Sequence, residues 1–343
     1  MNRIFREDQL IMRDTVRDFC QSNFSYGDLL KNPPHKPKET QESHWSKIQE
    51  LELERFFAGD GEGQICELAL ISFEHGYQLL PEHFSNVLLA KLSVERLLNL
   101  AGDSDYQGRG VFIEADFIKT ALDQTTTVFE SDLVAAAPNL KWLIALAAKE
   151  VFLITLDNIE TKPIETVDIT LPFYKLKAAC WGCRVIDQKT ASQLRALFYL
   201  IKAAEIAGCL AKGVELSVEY AKTREQFGSA IGSFQAVSQK LADIYLISES
   251  LRALVDFAAW SADNDPPQLE LAAYSALIYA QENARSVIEK GIQLHGGIGF
   301  TWEHPLHLYL RRIISLSAQH RLTEEQRAAW SSSVGSFISL KSP

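Results

Sequence analysis

The chain has 343 residues, 47% of them hydrophobic and 23% charged, a balance that excludes a disordered, collagen-like or disulfide-scaffold protein. At roughly 150 residues per domain the length corresponds to about two domains. Its 34 basic and 44 acidic residues leave a net charge of −10, so the basic face that grips DNA phosphates is not expected and nucleic acid is set aside as a partner.

The first residues, MNRIFREDQLIMRD, are charged throughout and hold no apolar leader segment. A helix is expected from Glu7 to about Phe19, where Leu10, Ile11, Val16 and Phe19 form a rough stripe. The prolines of Asn32-Pro33-Pro34-His35-Lys36-Pro37 mark a loop. A second helix is predicted from about Gln64 to Gly76, with Ile65, Leu68, Ala69 and Phe73 on one side and Gly76 as its stop. A third is predicted from about Pro81 to Leu100, before Gly102. His75 and His83 in this helical region read as satisfied structural histidines.

Residues 110–186 differ in texture. Thr125–Phe129, Val151–Leu156 and Val167–Leu171 are short, rich in β-branched and aromatic residues, and bounded by turn residues, so they read as strands. From 190 to 330 the helical pattern returns. Leu194, Leu197, Phe198, Ile201, Ala204, Gly208, Ala211, Val214, Val218 and Ala221 follow steps of three and four. A second long helix carries Phe234, Val237, Leu241, Ile244, Leu251 and Val255, and Asn264-Asp265-Pro266-Pro267 breaks the chain with a proline suited to the first turn of the next. That third helix is nearly free of charge from Leu271 to Ala280 and belongs inside an antiparallel bundle. Trp302, Glu303 and His304 read as the approach to another helix, with Pro305 near its first turn. Glu324 and Glu325 read as its successor's acidic first turn after Thr323. The expected fold is mostly α with a small β domain: an N-terminal helical domain over 1–109, a reduced β domain over 110–186 and a C-terminal helical bundle over 187–343. No stretch approaches about 18 uninterrupted apolar residues, so no membrane span is expected.

The five cysteines, Cys20, Cys66, Cys180, Cys183 and Cys209, are odd in number and scattered. They suit a reducing compartment, and a cytoplasmic protein is expected. Cys180 and Cys183 are spaced like half a redox or metal site, but no further ligands stand at a matching spacing. Two ordinary thiols are the better reading, and no metal site is predicted.

Two clusters carry the chemistry. In Tyr220-Ala-Lys-Thr-Arg224-Glu-Gln-Phe227-Gly228, followed by Ile231-Gly-Ser-Phe-Gln235, an arginine at a helix end can hold a phosphate through two parallel hydrogen bonds. Phe227 offers a flat face for a base and Gly228 lets the chain turn. The competing reading is an ordinary helix terminus, with Arg224 favoured by the dipole and Phe227 in the core. In Gln293-Leu-His295-Gly296-Gly297-Ile-Gly299-Phe300-Thr301, glycines after a helix permit positive φ, and their N–H groups can cradle a phosphate.

Taken with Glu303-His-Pro305 and Tyr309-Leu-Arg311-Arg312, these clusters resemble the acyl-CoA dehydrogenase family in order and spacing over about residues 190–315. Phe73-Glu74-His75-Gly76 and Leu80-Pro81-Glu82-His83-Phe84 look similar too. The resemblance implies a helical domain, a small β domain and a four-helix bundle, and an oxidoreductase that removes an α-proton and moves a β-hydride to FAD. It also implies that two subunits share each FAD. The matching positions for the adenosine-diphosphate half are Arg224 for the pyrophosphate, Phe227 beside the adenine, and Gln235, Gln293, Gly296 and Gly297 for polar and backbone contacts.

The chain departs from the family where the reaction is done. The usual base is the Glu of a Tyr-Glu-Gly-Thr motif; here Ser315-Leu-Ser-Ala-Gln-His320-Arg-Leu puts His320 in that slot. The alternative base position falls on Phe198, and neither residue is a carboxylate. The Thr-Glu-Pro…Gly-Ser-Asp stretch that covers the flavin ring has no counterpart between residues 100 and 186. The expectation is therefore a non-catalytic subunit of a heteromeric, α2β2 acyl-CoA dehydrogenase for bulky substrates such as steroid side-chain CoA thioesters. A second, catalytic subunit would supply the Glu base, and an electron-transfer acceptor would reoxidise the flavin. The rival expectations are a homomeric enzyme whose base is unrecognised, with His320 as the occupant of the slot, and a flavin-free pseudoenzyme acting in assembly or binding.

Overall fold

The computed structural model describes residues 5–24, 26–27, 38–58, 61–100, 103–106, 108–114, 116, 118–135 and 139–339. The proline segment Asn32–Pro37 and Gly102 lie outside the described residues.

The N-terminal region contains α1 (Glu7–Asn23), α2 (Lys38–Gln49), α3 (Leu53–Phe56), α4 (Ile65–Tyr77) and α5 (Phe84–Leu92). Helix α4 is buried along its whole length. Its first amides, on Ile65 and Cys66, donate to the Asp263 carboxylate at 3.0 and 2.8 Å, a helix N-terminus satisfied from a distant part of the chain. The expected stop at Gly76 has a different cause. The helix runs on to Tyr77, and Gly76 is needed where α4 crosses the next long helix. A Cβ on it would lie 1.8 Å from the Glu205 carbonyl oxygen, and one on Gly208 would lie 1.9 Å from that of Phe73. The helix expected over Pro81–Leu100 is shorter: α5 ends at Leu92 and passes into a π-type turn, Ser93–Leu97.

Among the described residues a five-stranded sheet is built from β1 (Arg109–Glu114), β2 (Val128–Val134), β3 (Leu140–Leu146), β4 (Val151–Ile164) and β5 (Phe173–Val185), in the order β1-β3-β4-β5-β2. In it β1 and β3 pair in parallel and the other described pairings are antiparallel. The Asn86 side chain on α5 covers the β1 edge: it donates to the Phe112 carbonyl at 3.1 Å and accepts the Phe112 amide at 2.7 Å, so that backbone is not left unpaired.

Two strand expectations change. Thr125 and Thr126 are held in a turn by Asp123, and β2 starts only at Val128. Val167–Leu171 is a turn, not a strand. There the Asp168 carboxylate accepts the Thr170 amide at 2.8 Å and meets Arg312 at 2.9 Å. Asp168 prefers to satisfy nearby backbone through its side chain, and the turn uses that preference.

The C-terminal region holds α6 (Gln188–Thr223), α7 (Gln235–Asn264), α8 (Pro266–His295), α9 (Leu306–Gln319) and α10 (Glu324–Ser339). Pro266 stands in the first turn of α8. Thr323 caps α10: its hydroxyl accepts the Gln326 amide, and the Gln326 side chain accepts the Thr323 amide at 2.8 Å. Helix α6 is buried without interruption from Leu194 to Leu210, so it, together with α8, forms the middle of the bundle. Mostly helical architecture with a small sheet is thus the observed class.

Where the three regions meet, Arg312 on α9 is fully buried. It pairs with Glu205 of α6 at 2.8 Å and Asp168 at 2.9 Å, and donates to the Leu80 carbonyl at 3.1 Å. His75 lies 3.8 Å from Glu205 and 3.0 Å from the Ser85 hydroxyl, while His83 donates to the Pro172 carbonyl at 2.7 Å. Both histidines are core residues; His83 is satisfied, while the buried Nε2 of His75 has no hydrogen-bond partner.

Candidate functional site

The first cluster begins where α6 ends. Arg224 takes extended backbone, and its amide donates to the Tyr220 carbonyl at 2.8 Å. The chain then makes a small hairpin, with Gln226 paired to Ser229 and Phe227 and Gly228 as the two turn residues. Both have positive φ, 54° and 81°. This is the two-residue turn whose twist suits a hairpin, and Gly228 meets it at no steric cost. Phe227 meets it at a cost, since a bulky residue rarely adopts that region. The strained turn aims its ring outward. Phe227 is 95% exposed, so the core placement considered for it is wrong. Its ring meets Phe234 edge to face at 6.2 Å. The chain returns through Ile231, whose amide donates to the Arg224 carbonyl at 2.8 Å, and Gln235 opens α7. Arg224, Phe227 and Gln235 all face solvent.

The second cluster begins where α8 ends. Gly296 stops the helix at φ +64°, and a short 3-10 turn, Gly296–Phe300, follows. A Cβ on Gly296 or Gly297 would meet nothing within 4 Å. Their open side therefore faces solvent, where an incoming group can reach the backbone. Gln293 is exposed one turn earlier.

The structure brings the two clusters together. The Tyr220 ring stacks on His295 at 4.3 Å, and its hydroxyl donates to the His295 carbonyl at 3.4 Å. His304 sits 4.3 Å from His295, and Trp302 meets His307 edge to face. Burial lowers His295 and His307, and it pushes His304 to about 4 with its neighbouring histidines adding to the effect. These imidazoles are neutral at pH 7, which leaves Arg224 and the exposed Lys222 as the cations of the two motifs. One guanidinium, two exposed amides, an outward aromatic ring and bare glycine backbone form a donor set suited to a nucleotide diphosphate.

The residues in the base slots lie elsewhere, at the junction of the three regions. His320 ends α9, and its Nδ1 lies 3.1 Å from the Glu114 carboxylate at the end of β1. Its ring packs edge to face on Phe198 at 5.1 Å, and Phe198 stacks on Phe112 at 5.2 Å. Gln281 donates to the His320 carbonyl. Burial raises the Tyr199 phenol far above its usual range, and the adjacent Glu114 adds to this. The remaining cavity, bordered by Asn86, Glu114, Phe198, Lys202 and His320, measures about 20 Å3, room for about one water molecule. Glu114 was missed by sequence reasoning. Its only local signal is a carboxylate closing the apolar run Val111-Phe112-Ile113.

Among the described residues, no group of three or more His, Cys, Asp or Glu is arranged to hold a metal ion. Cys180 and Cys183 lie on β5 as free thiols, raised by burial, Cys183 to about 11. Among the described residues no helix is long and apolar enough to cross a membrane.

Comparison with known proteins matches this architecture. A family profile described as "Acyl-CoA dehydrogenase, C-terminal domain" matches residues 200–318. The acyl-CoA dehydrogenase IpdE2 of Mycobacterium tuberculosis is 30% identical over 254 residues, covering 74% of this chain and 73% of that protein. Two solved structures share the fold. The Tcur3481-Tcur3483 steroid ACAD G363A variant has a TM-score of 0.76 at 19% identity, covering 97% of this chain and 99% of that one. The ChsE4-ChsE5 complex of Mycobacterium tuberculosis has a TM-score of 0.74 at 20% identity, covering 99% of each chain. On sequence and fold alike, the chain belongs to the acyl-CoA dehydrogenase family.

Proposed function

We propose that this chain is the non-catalytic subunit of a heteromeric, FAD-dependent acyl-CoA dehydrogenase, acting on a bulky acyl-CoA thioester of the steroid side-chain kind. The observation that carries the reading is a contrast. The nucleotide-gripping residues all face outward, while both base slots are filled by rings packed on each other around a water-sized cavity. A grip aimed at solvent suits a flavin seated in another subunit.

In this reading Arg224 holds the pyrophosphate, Phe227 lies beside the adenine, and Gln235, Gln293 and the backbone of Gly296 and Gly297 complete the adenosine-diphosphate contacts. The FAD, when bound, accepts the hydride, and the partner subunit supplies the Glu base and the acyl pocket. An electron-transfer acceptor then takes the electrons. The three-part division at 109/110 and 186/187 and a cytoplasmic α2β2 assembly belong to the same proposal. The steroid ACAD and the two-chain complex among the structural neighbours support the substrate class and the heteromer.

Mixing the purified chain with the dehydrogenase subunit encoded beside it tests this. The mixture is expected to take up FAD, seen as flavin absorbance that co-migrates with both chains. No uptake by the mixture overturns the reading.

One observation favours a second reading, a homomeric enzyme. A carboxylate at 3.1 Å from Nδ1 orients His320 as it would a general base. That reading predicts a yellow protein when purified alone, with acyl-CoA-dependent dye reduction lost in His320→Gln. A flavin-free assembly protein, by contrast, predicts no change in partner activity in Arg224→Ala.

A further inference from the structure

We infer that Tyr220 is a positioning residue of the nucleotide grip: its hydroxyl occupies the His295 carbonyl that a diphosphate would otherwise face, and its ring, stacked on His295, holds Arg224 and the glycine loop in register. The inference rests on the shared-flavin reading and deepens it by naming what sets the field and the spacing of that grip.

The grip stands where an anion is least expected. Arg224 follows the last residue of α6, and Gly296 follows the last residue of α8. Both motifs therefore lie at helix C-termini. A helix presents the negative end of its dipole there, with its last carbonyls unpaired. Anion sites are ordinarily built on the opposite end. A diphosphate at Gly296 and Gly297 would meet that negative end unless the carbonyls were already occupied.

They are occupied from within. The Gly296 amide donates to the Gln293 carbonyl. The Nδ1 of His295 lies 2.8 Å from the Gly291 carbonyl. A carbonyl only accepts, so Nδ1 carries the proton. The His295 carbonyl, at the very end of α8, accepts from the Tyr220 hydroxyl at 3.4 Å. That donor belongs to the other helix. Tyr220 stands one turn before Arg224, and its own carbonyl accepts the Arg224 amide at 2.8 Å. One residue thus touches the ends of both helices, at the two places where the grip is built.

The ring contact fixes the geometry. The rings of Tyr220 and His295 have centroids 4.3 Å apart and planes 24° from parallel. His295 is 3% exposed, and its Nε2 is buried without a hydrogen-bond partner. A side chain that only filled this space would be apolar and would avoid the penalty of an unpaired buried acceptor. What the imidazole adds is the Nδ1–H bond to Gly291, which holds the ring plane on which the phenol rests. Tyr220→Phe keeps this stack and removes the hydroxyl alone, so it separates the electrostatic role from packing.

The test measures FAD binding to the complex formed with the dehydrogenase subunit encoded beside this chain, by equilibrium dialysis, with ADP and adenosine as competitors. Wild type, Tyr220→Phe, His295→Leu and His295→Phe are compared. Tyr220→Phe is expected to fold and assemble like wild type and to weaken FAD and ADP by about three- to tenfold, the worth of one hydrogen bond. Adenosine carries no phosphate, and its binding is expected to stay unchanged. His295→Leu removes the platform and is expected to weaken FAD at least as much. His295→Phe restores a flat ring and is expected to recover most of that loss. Wild-type binding of FAD and ADP by Tyr220→Phe overturns the inference. Equal losses for ADP and adenosine make Tyr220 a packing residue and overturn it too. Equal losses in His295→Leu and His295→Phe overturn the platform role of the ring; should either misfold, Tyr220→Phe decides. A wild-type complex that takes up no FAD overturns the shared-flavin reading and the inference with it, whereas an indifferent Tyr220→Phe in a complex that binds FAD overturns the inference alone.

Discussion

The rings of Phe198 and His320 meet edge to face with centroids 5.1 Å apart. They are the two positions that the family resemblance sets against its base carboxylate, one on α6 and one ending α9. Two slots far apart in sequence therefore converge on one point in space, beside Glu114. Both positions share one locus of the fold, which an aromatic contact occupies.

Phe198 is expected to matter for stability and not for flavin uptake. It is fully buried between Phe112 and His320. Phe198→Ala should destabilise the chain by about 3–5 kcal/mol, the usual cost of emptying a buried aromatic site. Urea unfolding measures this. Flavin content of the proposed heteromer, once folded, should stay at the wild-type level. A selective loss of flavin would place this locus in the cofactor's path.

Arg224 should show the opposite pattern. It is exposed beyond the end of α6 and has no role in the core. Arg224→Ala should leave the melting temperature within a degree or so of wild type. It should weaken FAD binding by about 10- to 100-fold, the worth of charge-assisted hydrogen bonds to a phosphate. Arg224→Lys keeps the charge and loses the planar fork, so its affinity should fall between the two. Equilibrium dialysis of the heteromer against FAD checks all three. Equal affinity in Lys and wild type would mean that charge alone suffices.

How much of this was legible in the sequence depended on whether the cause was local. Helices α6, α7 and α8 announced themselves because their buried positions recur at three and four residues over many turns. The outward hairpin at Phe227-Gly228 was visible as a turn, but the exposure of Phe227 was not, since a phenylalanine is more often buried. Strands β1, β3 and β5 went unrecognised. Leu140-Lys141-Trp142-Leu143-Ile144 in β3 fits a helical stripe as well as a buried strand, and only pairing with β1 and β4 decides it. Val167–Leu171 looked like a strand because it is short, rich in β-branched residues and bounded by turn residues, and its Asp168 instead pairs with the buried Arg312, 144 positions on, in a turn. Glu114 gains its meaning from His320 across the junction, which no local pattern encodes.

Arg312 should be a costly charge to lose. Its guanidinium serves Asp168 and Glu205 at once, all three side chains fully buried. Arg312→Met would fill similar space but leave Asp168 in the core without its cation and Glu205 with only Lys202, at 3.4 Å. Removing one partner of a buried pair typically costs about 3–5 kcal/mol, and the junction of all three regions would carry that loss. The expected result is a variant that unfolds at markedly lower urea concentration, or fails to accumulate. Adding Glu205→Gln and Asp168→Asn should recover part of the loss, because neutral groups are cheaper to bury than charged ones. No recovery in the triple variant would mean that the hydrogen bonds to Thr170 and Leu80, not the charges, hold the junction.

Acid should weaken the fold before it protonates most surface carboxylates. Burial pushes His75 down to about 4 against the opposing Glu205 carboxylate, and it lowers His83 well below the ordinary range. In the unfolded chain both take a proton near pH 6.5. Below that value the unfolded state binds more protons than the folded state, so stability falls as pH drops from about 6.5 toward 4. Asp256 acts in the other direction: burial raises its carboxyl to about 6, so the folded state holds a proton that the unfolded state releases. His304, pushed down to about 4, acts with them, and His295 and His307 are lowered as well, so the histidines outweigh Asp256 and stability is expected to fall as pH drops from roughly 6 to 4.5. Urea midpoints at pH 7, 6 and 5 should show it. His75→Asn should lower stability at pH 7 and make the profile shallower, since one of the histidines that create the slope is gone. A wild-type profile that is already flat from pH 6.5 to 5 would mean that the core accepts these protons, and that the pair formed by His75 and Glu205 is ionic in the folded chain.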